Sequence, residues 1–373
     1  MEVPLFKPYL GEEELNALKE IFATGWVGLG PKTAEFERQF REYLNVKTCV
    51  GTNSATSALD LALKIFDFPS GEVLVPAITF ASTAQVVDYN PQLTVKFVDV
   101  DKDTLCIDIN DFQEKINEDT RAVIPVHMGG YACDMDTLRD IINEKLLDVK
   151  IIEDCAHCLG GEYKGKKLGT IGDIGCFSFE AKKNITTGDG GMIATNLKDL
   201  EPRLRRLRWV GMNRDTWKRI SDRESYSWYY EIDELGYKYN MNDIMAAIGI
   251  EQLKKLDQIN DKKRHIMKRY NKGLSGLDWL SIPEHYDLEK GAHWLYIIKV
   301  DKRDEFIAYM AKNEITTGVH YMPLNLHPYY KRKYPSELPN SEEVWLRLVS
   351  LPLFFELTDE MSDYVINTAR NFE

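Results

Sequence analysis

The feature that most limits the fold of this 373-residue chain is the alternation of short apolar runs with amphipathic stretches between residues 73 and 196. The apolar runs predict strands that are buried on both faces, namely EVLVP, TVKFVDV, RAVIPVH, VKIIED, DIGCFSF and GMIATN. Helical patterns lie between several of them, namely STAQVVDY, INDFQEKI and DMDTLRDIINEKL. This alternation predicts an α/β fold with a mostly parallel sheet and helices on both of its sides.

The last third of the chain predicts a smaller unit. Residues 242–271 predict one long helix, because apolar residues recur at helical spacing and no proline interrupts them. It is followed by strand-like HWLYIIKV, helix-like RDEFIAYMAKNE, strand-like ITTGVHY and two closing helices around SEEVWLRLVS and TDEMSDYVINTARNF. We therefore expect a large domain over residues 1–250 and a small α/β domain over residues 251–373, which includes the linking helix.

Charge and composition argue against several classes of protein. The net charge of −12 argues against a general nucleic-acid-binding protein. No apolar run approaches the roughly 18 residues of a membrane span. The acidic amino terminus lacks the basic-then-apolar order of a signal peptide. We therefore expect a cytoplasmic protein with no membrane partner, whose six cysteines are free thiols.

The segment FSFEAKKNITTGDGG, residues 177–191, places two adjacent lysines between a strand and a glycine-rich turn. A desolvated amine near other cations loses its proton easily and can form an imine, and only one of Lys182 and Lys183 can point inward. Upstream, the strand in KIIEDCAHCLGG ends at Asp154. An imine-forming lysine beside a carboxylate that keeps a pyridine nitrogen protonated is the arrangement that pyridoxal phosphate needs. The alternative is a surface lysine pair and a helix-capping acid.

Both segments resemble the DegT/DnrJ/EryC1/StrS sugar aminotransferases, which are pyridoxal phosphate enzymes with the aspartate aminotransferase fold. The resemblance covers nearly the whole chain in the family's order, through PLFKPYLGEEE, GWVGLGPKTAEFERQF, NSATSALDLAL, PAITFASTAQVV, VIPVHMGG, LGYKYNMNDIMAAIGIEQL, TTGVHYMPLNLHPYY and SLPLF. It implies a fold-type I subunit with a three-layer large domain and a small C-terminal α/β domain. It also implies a homodimer with shared active sites.

The resemblance also assigns the cofactor residues. The family's spacing puts the imine on Lys183, and a lysine there, where dehydratases of the family carry histidine, favours amino transfer. The residues implied to bind pyridoxal 5′-phosphate are Ala55, Thr56, Phe80, Asp154, His157, Ser178, Lys183 and Lys238. The chain departs from the family at Ala55, which replaces a glycine, and at Lys238 and Asn240, which replace an asparagine and an arginine. Phe80 and His157 keep the alternative of ordinary packing residues.

Substrate contacts and the reaction follow from the same resemblance. The implied substrate-binding residues are Gly28, Leu29, Arg214, His320 and Tyr321. The implied reaction moves an amino group from an amino acid, usually glutamate, to the keto group of a nucleotide-linked sugar. Two alternatives stay open. One is a cyclitol or other non-nucleotide ketosugar as acceptor, and the other is a non-catalytic paralogue that binds the cofactor as a regulator or scaffold.

Two further patterns have more ordinary explanations. The sequence CAHC, residues 155–158, has metal-like spacing, but a closed zinc site needs four ligands and no second pair exists, so we expect no metal. The basic run RLRRLR, residues 203–208, is expected to form a solvated helix face or a dimer contact, with a phosphate site as the alternative.

Overall fold

A large sheet organises the residues that the computed structural model describes, which are 1–214, 217, 228–282 and 288–372. The strands before residue 200 are β1 (Thr48–Thr52), β2 (Gly71–Pro76), β3 (Leu93–Val98), β4 (Thr120–Val123), β5 (Lys150–Asp154), β6 (Glu162–Tyr163), β7 (Lys166–Lys167), β8 (Ile174–Ser178) and β9 (Gly191–Thr195). Strands β6 and β7 pair with each other. The other seven form the sheet in the order β1-β9-β8-β5-β4-β2-β3.

The sheet is mostly parallel, as the sequence predicts. Strands β3, β2, β4, β5 and β8 run parallel to one another, whereas β9 is antiparallel to both β8 and β1. Each of the six apolar runs contains one of these strands. Parallel strands need crossover connections, and helices supply several of them here.

Helices cover both faces of the sheet. Within the described residues they are α1 (Glu12–Thr24), α2 (Pro31–Leu44), α3 (Ala55–Lys64), α4 (Ser82–Asp88), α5 (Ile109–Lys115), α6 (Met135–Glu144), α7 (Glu201–Leu207), α8 (Asp243–Leu274), α9 (Arg303–Lys312), α10 (Pro328–Lys333), α11 (Pro339–Val344) and α12 (Asp359–Arg370). The residues of β2 alternate between two apolar layers. Val73 and Val75 pack with Leu59 of α3, whereas Leu74 belongs to the cluster of Phe36 and Leu138 from α2 and α6. The three-layer architecture follows from burial on both faces.

The C-terminal part contains its own three-stranded antiparallel sheet. Its strands are β10 (Leu280–Ser281), β11 (Tyr296–Val300) and β12 (Leu348–Leu351), in the order β10-β11-β12. Two predictions for this part were wrong. The strand expected around residues 315–321 is reduced to isolated bridges at Ile315 and Gly318. The helix expected through 341–350 ends as α11 and a 3-10 turn, because the buried stretch that follows, residues 348–351, pairs with β11 as a strand.

The long helix α8 is confirmed with slightly different bounds. Asn242 caps it, since its Oδ1 accepts a hydrogen bond from Met245 N at 2.9 Å. The helix packs against α1, α2 and α12, and its buried side chains join one apolar cluster with those of β11 and β12. One apolar cluster thus extends through both parts of the chain. The domain division at residue 250 stays a prediction. Among the described residues, no helix combines the length and apolarity of a membrane span.

Candidate active site

Two adjacent strands bring the predicted acid and the lysine loop together. Strand β5 ends at Asp154 and β8 ends at Ser178, and the parallel register pairs Asp154 with Cys176. Both ends therefore lie at the carboxyl edge of the sheet, where ligands of such sheets bind. The chain then turns, with Lys183 N donating to Glu180 O at 3.0 Å, and places the Lys183 side chain in the same cavity.

The amino terminus of α3 lies where the sequence predicts a phosphate-binding turn. Ser54 caps the helix, since its Oγ accepts a bond from Ser57 N at 3.1 Å. The backbone amides of Ala55 and Thr56 precede the first intrahelical bond, which Ala58 N makes to Ser54 O. Such amides at a helix amino terminus attract an anion such as phosphate.

A close approach of β9 to this helix terminus explains one glycine of the lysine segment. A Cβ on Gly191 would lie 2.4 Å from the carbonyl carbon of Ser54 and 2.7 Å from Ala55 N. Any other residue at 191 would therefore displace the helix terminus. Gly191 thus allows the amino terminus of α3 to lie next to the lysine loop.

The cavity between these elements has a volume of about 460 Å³, within the usual range for small-molecule sites. The predicted residues that line it are Ala55, Thr56, Phe80, Asp154, His157, Ser178, Lys183, His320 and Tyr321. Nine of the thirteen predicted site residues are thus brought to one place.

Lys183 has the electrostatic environment of a reactive amine. Burial lowers its pKa to about 7, the positive charges of Lys182 and Lys263 act in the same direction, and the negative charges of Asp154 and Glu180 oppose it. A substantial fraction of the amine is therefore unprotonated at neutral pH, as a nucleophile must be. Lys182 is exposed, and its backbone oxygen accepts a hydrogen bond from Trp294 Nε1 at 2.7 Å, whereas Lys183 Nζ lies against the Trp294 ring.

Asp154 is a buried acid whose carboxyl group accepts two hydrogen bonds. Its Oδ2 accepts from Thr83 Oγ1 at 2.9 Å and its Oδ1 from Ala156 N at 3.1 Å. Burial nevertheless raises the pKa of Asp154, although these bonds and the charge of Lys183 oppose the shift. A cationic ring nitrogen beside this carboxyl would stabilise its ionised form.

A stack of aromatic rings closes one side of the cavity. The rings of His157 and Trp294 stack with centroids 4.2 Å apart, and Lys183 Nζ lies 3.4 Å from the Trp294 ring centroid. His157 Nδ1 accepts a bond from Gly129 N, and burial holds the pKa of His157 well below its usual range. His157 is therefore neutral at physiological pH, and its ring packs within the site wall.

His320 and Tyr321 also line the cavity, close to Phe80. His320 Nδ1 lies 2.8 Å from Ser350 Oγ, and burial with the nearby charge of Lys183 lowers the pKa of His320 to about 4. The rings of Tyr321 and Phe80 lie 6.2 Å apart, and Phe80 is 56% exposed. The Phe80 ring is thus not an ordinary core residue, which leaves it available to a ligand; its stacking on the cofactor stays a prediction.

The remaining predicted residues lie outside this cavity in the single chain. Leu29 lines a separate cavity with Trp209, and Gly28 O accepts a bond from Asp243 N at 2.8 Å. Lys238 Nζ lies 3.1 Å from the Trp209 ring centroid, on the same side of the molecule as Leu29. Arg214 is partly exposed and does not line the main cavity. Leu29 and Lys238 thus lie near Trp209, outside the main cavity, and Arg214 lies outside that cavity as well.

The basic run partly contradicts its interpretation as a solvated face. Arg208 is only 3% exposed, and it forms a buried ion pair with Glu37 and donates to Gly51 O at 2.7 Å. Arg205 Nη1 also contacts Glu37, at 2.8 Å. The expectation of a solvated helix face is therefore wrong for Arg208, because a buried carboxylate on α2 needs its charge.

The predicted metal-like motif has a different geometry from the one its spacing suggests. The ligand atoms of His127, Cys155 and Cys158 lie within 4.8 Å of one another, and His157 is not among them. Both ring nitrogens of His127 are engaged, with Glu153 Oε2 at 3.0 Å and with Cys133 N at 3.2 Å. Burial also raises the pKa of both thiols. These contacts therefore fit a packing role for the three side chains better than metal binding.

Two contacts escaped the sequence analysis. Trp294 lies in an apolar run that predicts a strand, and only the fold brings it to Lys183, 111 residues earlier in the chain. Thr83 lies inside a helical pattern with no signal that its hydroxyl meets Asp154. Neither residue belongs to a motif, so neither could be identified as a site residue from the sequence alone.

Together these features fit pyridoxal phosphate. Free amides at the α3 terminus fit its phosphate, the Asp154 carboxyl fits its ring nitrogen, and the Lys183 amine fits its aldehyde carbon. The cavity is large enough to hold such a ligand with a substrate beside it. A lysine, an acid and an anion cradle at the carboxyl edge of a mostly parallel sheet define a pyridoxal phosphate-dependent enzyme.

Comparison with known proteins defines the family. The sequence model of the DegT/DnrJ/EryC1/StrS aminotransferase family matches residues 8–370. An uncharacterised protein of Methanocaldococcus jannaschii is 42% identical over 99% of this chain and 97% of its own length. The spore coat polysaccharide biosynthesis protein SpsC of Bacillus subtilis is 37% identical, over 99% and 96%. A protein of Streptococcus pneumoniae described as a sugar aminotransferase, solved in its PMP form, is 31% identical with a TM-score of 0.92, over 99% of this chain and 98% of that one.

The chain therefore belongs to the DegT/DnrJ/EryC1/StrS aminotransferase family. It is a pyridoxal phosphate-dependent aminotransferase, and the Streptococcus pneumoniae protein has been solved with both forms of that cofactor. The fold-type I architecture that the sequence implies is confirmed by this structural similarity.

Proposed function

We propose that this enzyme transfers an amino group from glutamate to the keto carbon of a nucleotide-linked sugar. The observation that carries the proposal is the convergence of Lys183, Asp154 and the α3 terminus on one cavity. The sugar class is supported by similarity to SpsC, a polysaccharide biosynthesis protein, and to the sugar aminotransferase of Streptococcus pneumoniae. The nitrogen of the donor replaces the keto oxygen of the sugar, and the donor leaves as its 2-oxo acid, so no external oxidant is required.

Each residue has a distinct task in this reaction. Pyridoxal phosphate, when bound, supplies an aldehyde for the amino group and a ring that accepts electrons. The amides of Ala55 and Thr56, with the Ser178 hydroxyl, hold its phosphate. Asp154 keeps its ring nitrogen protonated, and Lys183 Nζ accepts the proton from the α-carbon of the donor. His157 and Trp294 keep water away from this amine.

The assignment of Lys183 can be tested by chemical trapping. The purified enzyme is reduced with borohydride, digested and mapped by mass spectrometry for the cofactor adduct. We expect the adduct on Lys183, its loss in Lys183→Ala and its retention in the matched control Lys182→Ala, whose side chain is exposed. An adduct on Lys182 would overturn the assignment.

The nucleotide on the substrate is the finer part of the proposal. A diphosphate needs at least one cation to hold it, and Arg214 is the cation that we propose. Arg214→Ala should raise the Michaelis constant for the sugar nucleotide and leave the glutamate half-reaction unchanged, because ground-state binding alone is lost. If free ketosugars or cyclitols react as well as their nucleotide-linked forms, the acceptor is not a nucleotide sugar.

We further propose that two subunits share each active site. The support is the position of Gly28, Leu29 and Lys238 on a surface away from the chain's own cavity. Inactive Lys183→Ala and inactive Lys238→Ala proteins, mixed and allowed to exchange subunits, should regain about a quarter of the wild-type activity, since one site in each hybrid is intact. Absence of any recovery in demonstrated hybrids would refute shared sites.

A further inference from the structure

Lys263 is a buried lysine at a position where its helix otherwise carries apolar residues. It is 4% exposed, and its neighbours on the buried face of α8 are Ile259, Ile266, Met267 and Tyr270. Lysine is rarely found in such apolar surroundings, because burial disfavours its charged form, so its presence here suggests a function.

The Lys263 side chain reaches the back of the catalytic lysine loop. It lines a cavity of about 20 Å³ together with Lys182, Lys183 and Asn184. Asn184 Nδ2 donates to Asn260 Oδ1 at 2.9 Å, one turn before Lys263, which ties the loop to the helix. The cavity has room for about one water molecule, so neither cofactor nor substrate can enter it. Lys263 can therefore act only through its neighbours.

The charges around this cavity are mostly positive. The groups that influence Lys183 are Asp154, Glu180, Lys182 and Lys263, and the groups that in turn feel its charge are His157 and His320. Lys7 lines the small cavity as well, from the amino-terminal segment. On its far side, Glu14 is occupied by Lys255 and Gln252. Lys263 thus shares this cavity with three other lysines, Lys7, Lys182 and Lys183.

We propose that Lys263 is a positioning residue whose amine, when protonated, disfavours a proton on Lys183 and so helps to keep the Lys183 amine nucleophilic. The proposal rests on the role proposed above for Lys183. Burial lowers the pKa of Lys263 to about 7, the same region as that of Lys183. The charge of a protonated Lys263 disfavours a proton on Lys183, and Lys183 loses its reactive form as pH falls below this region.

The test measures the proton affinity of Lys183 in the cofactor-free protein. Acetic anhydride labels unprotonated amines, and mass spectrometry of the Lys183 peptide gives the pH midpoint of labelling, which should lie near 7 in the wild type. Lys263→Met keeps the length and removes the charge, and should raise this midpoint by about one pH unit. Lys263→Arg carries a permanent positive charge and should not raise the midpoint. Lys262→Met, which removes an outer lysine paired with Asp359, is the matched control and should leave it unchanged.

Two outcomes would overturn the inference. One is an unchanged midpoint in Lys263→Met; the other is an equal rise in Lys263→Arg, which would indicate a packing role. Lys263→Leu serves as a second apolar variant if the methionine variant does not fold. Failure of the underlying function is distinguishable, because it shows as a borohydride adduct missing from Lys183 in the wild type, whatever the labelling midpoints are.

A second readout uses the bound cofactor. The absorbance of the holoenzyme is titrated with acid and base, and its pH midpoint is compared between wild type, Lys263→Met and Lys263→Arg. Removing the nearby positive charge should move the midpoint upward in Lys263→Met, whereas Lys263→Arg should show no rise. A midpoint that is the same in all three proteins would contradict the inference.

Discussion

Replacing Asp154 with asparagine separates the charge of this side chain from its packing. The carbonyl oxygen of the new amide can still accept from Ala156 N, and its NH₂ group can donate to Thr83 Oγ1, whose own proton can then go to Thr79 Oγ1, 2.8 Å away. Every bond in this buried chain is thus retained and only the negative charge is lost. Loss of one preorganised charged partner costs about 10²-fold in turnover or more, which corresponds to about 2.7 kcal/mol in the activation free energy.

Stability supplies the control for this substitution. Burial raises the pKa of Asp154 in the folded state, so the protonated carboxyl stabilises the fold at pH values below its ordinary pKa. This stabilisation is lost as pH rises through the pKa of the folded state. The cofactor-free Asp154→Asn protein should therefore be at least as stable as the wild type in urea at neutral pH. Single-turnover rates with the amino donor then report the charge alone. Near-normal turnover, or a strongly destabilised variant, would refute the reasoning.

Two other substitutions test parts of the structure that hold the site. Glu37→Gln leaves Arg208 buried without its carboxylate and should lower the free energy of unfolding in urea by about 3–5 kcal/mol. The control Glu42→Gln on the same helix breaks only an exposed ion pair and should cost less than about 1 kcal/mol. Equally small costs for the two variants would contradict a stabilising buried pair. Trp294→Phe keeps a ring beside Lys183 but loses the hydrogen bond from Nε1 to Lys182 O, which is worth about 1 kcal/mol. Cofactor affinity measured by fluorescence should therefore fall about fivefold. An unchanged affinity would show that this bond does not position the lysine loop.

The sheet could be predicted from the sequence because its strands are short, apolar on both faces and separated by clear helical patterns. Strand β5 in VKIIED and strand β8 in DIGCFSF needed no tertiary information. The C-terminal part could not be predicted as well. Residues 348–351 follow a helix without a glycine or proline, and only their pairing with β11 makes them a strand. Local pattern was insufficient where a distant partner decides the structure.

The same distinction applies to the site. Asp154, Ser178 and Lys183 each follow a strand that the sequence predicts, so the parallel sheet itself implied their proximity. Lys263 and Trp294 reach the lysine loop from the long helix and the C-terminal sheet, so their proximity depends on how those units pack. Lys238 lies away from the cavity of its own chain, beside Trp209, and its role in the proposed shared site stays a prediction.

The opposite pKa shifts of Lys183 and Asp154 explain how the site is prepared for its cofactor. Burial lowers the pKa of the amine and raises that of the acid, so each group is shifted toward its neutral form before the cofactor binds. A neutral amine is what attack on an aldehyde requires, whereas the acid has to be ionised to hold a protonated ring nitrogen. The positive ring nitrogen itself supplies the charge that restores the carboxylate. Desolvation that is unfavourable for the isolated protein thus favours binding of a ligand with this distribution of charge.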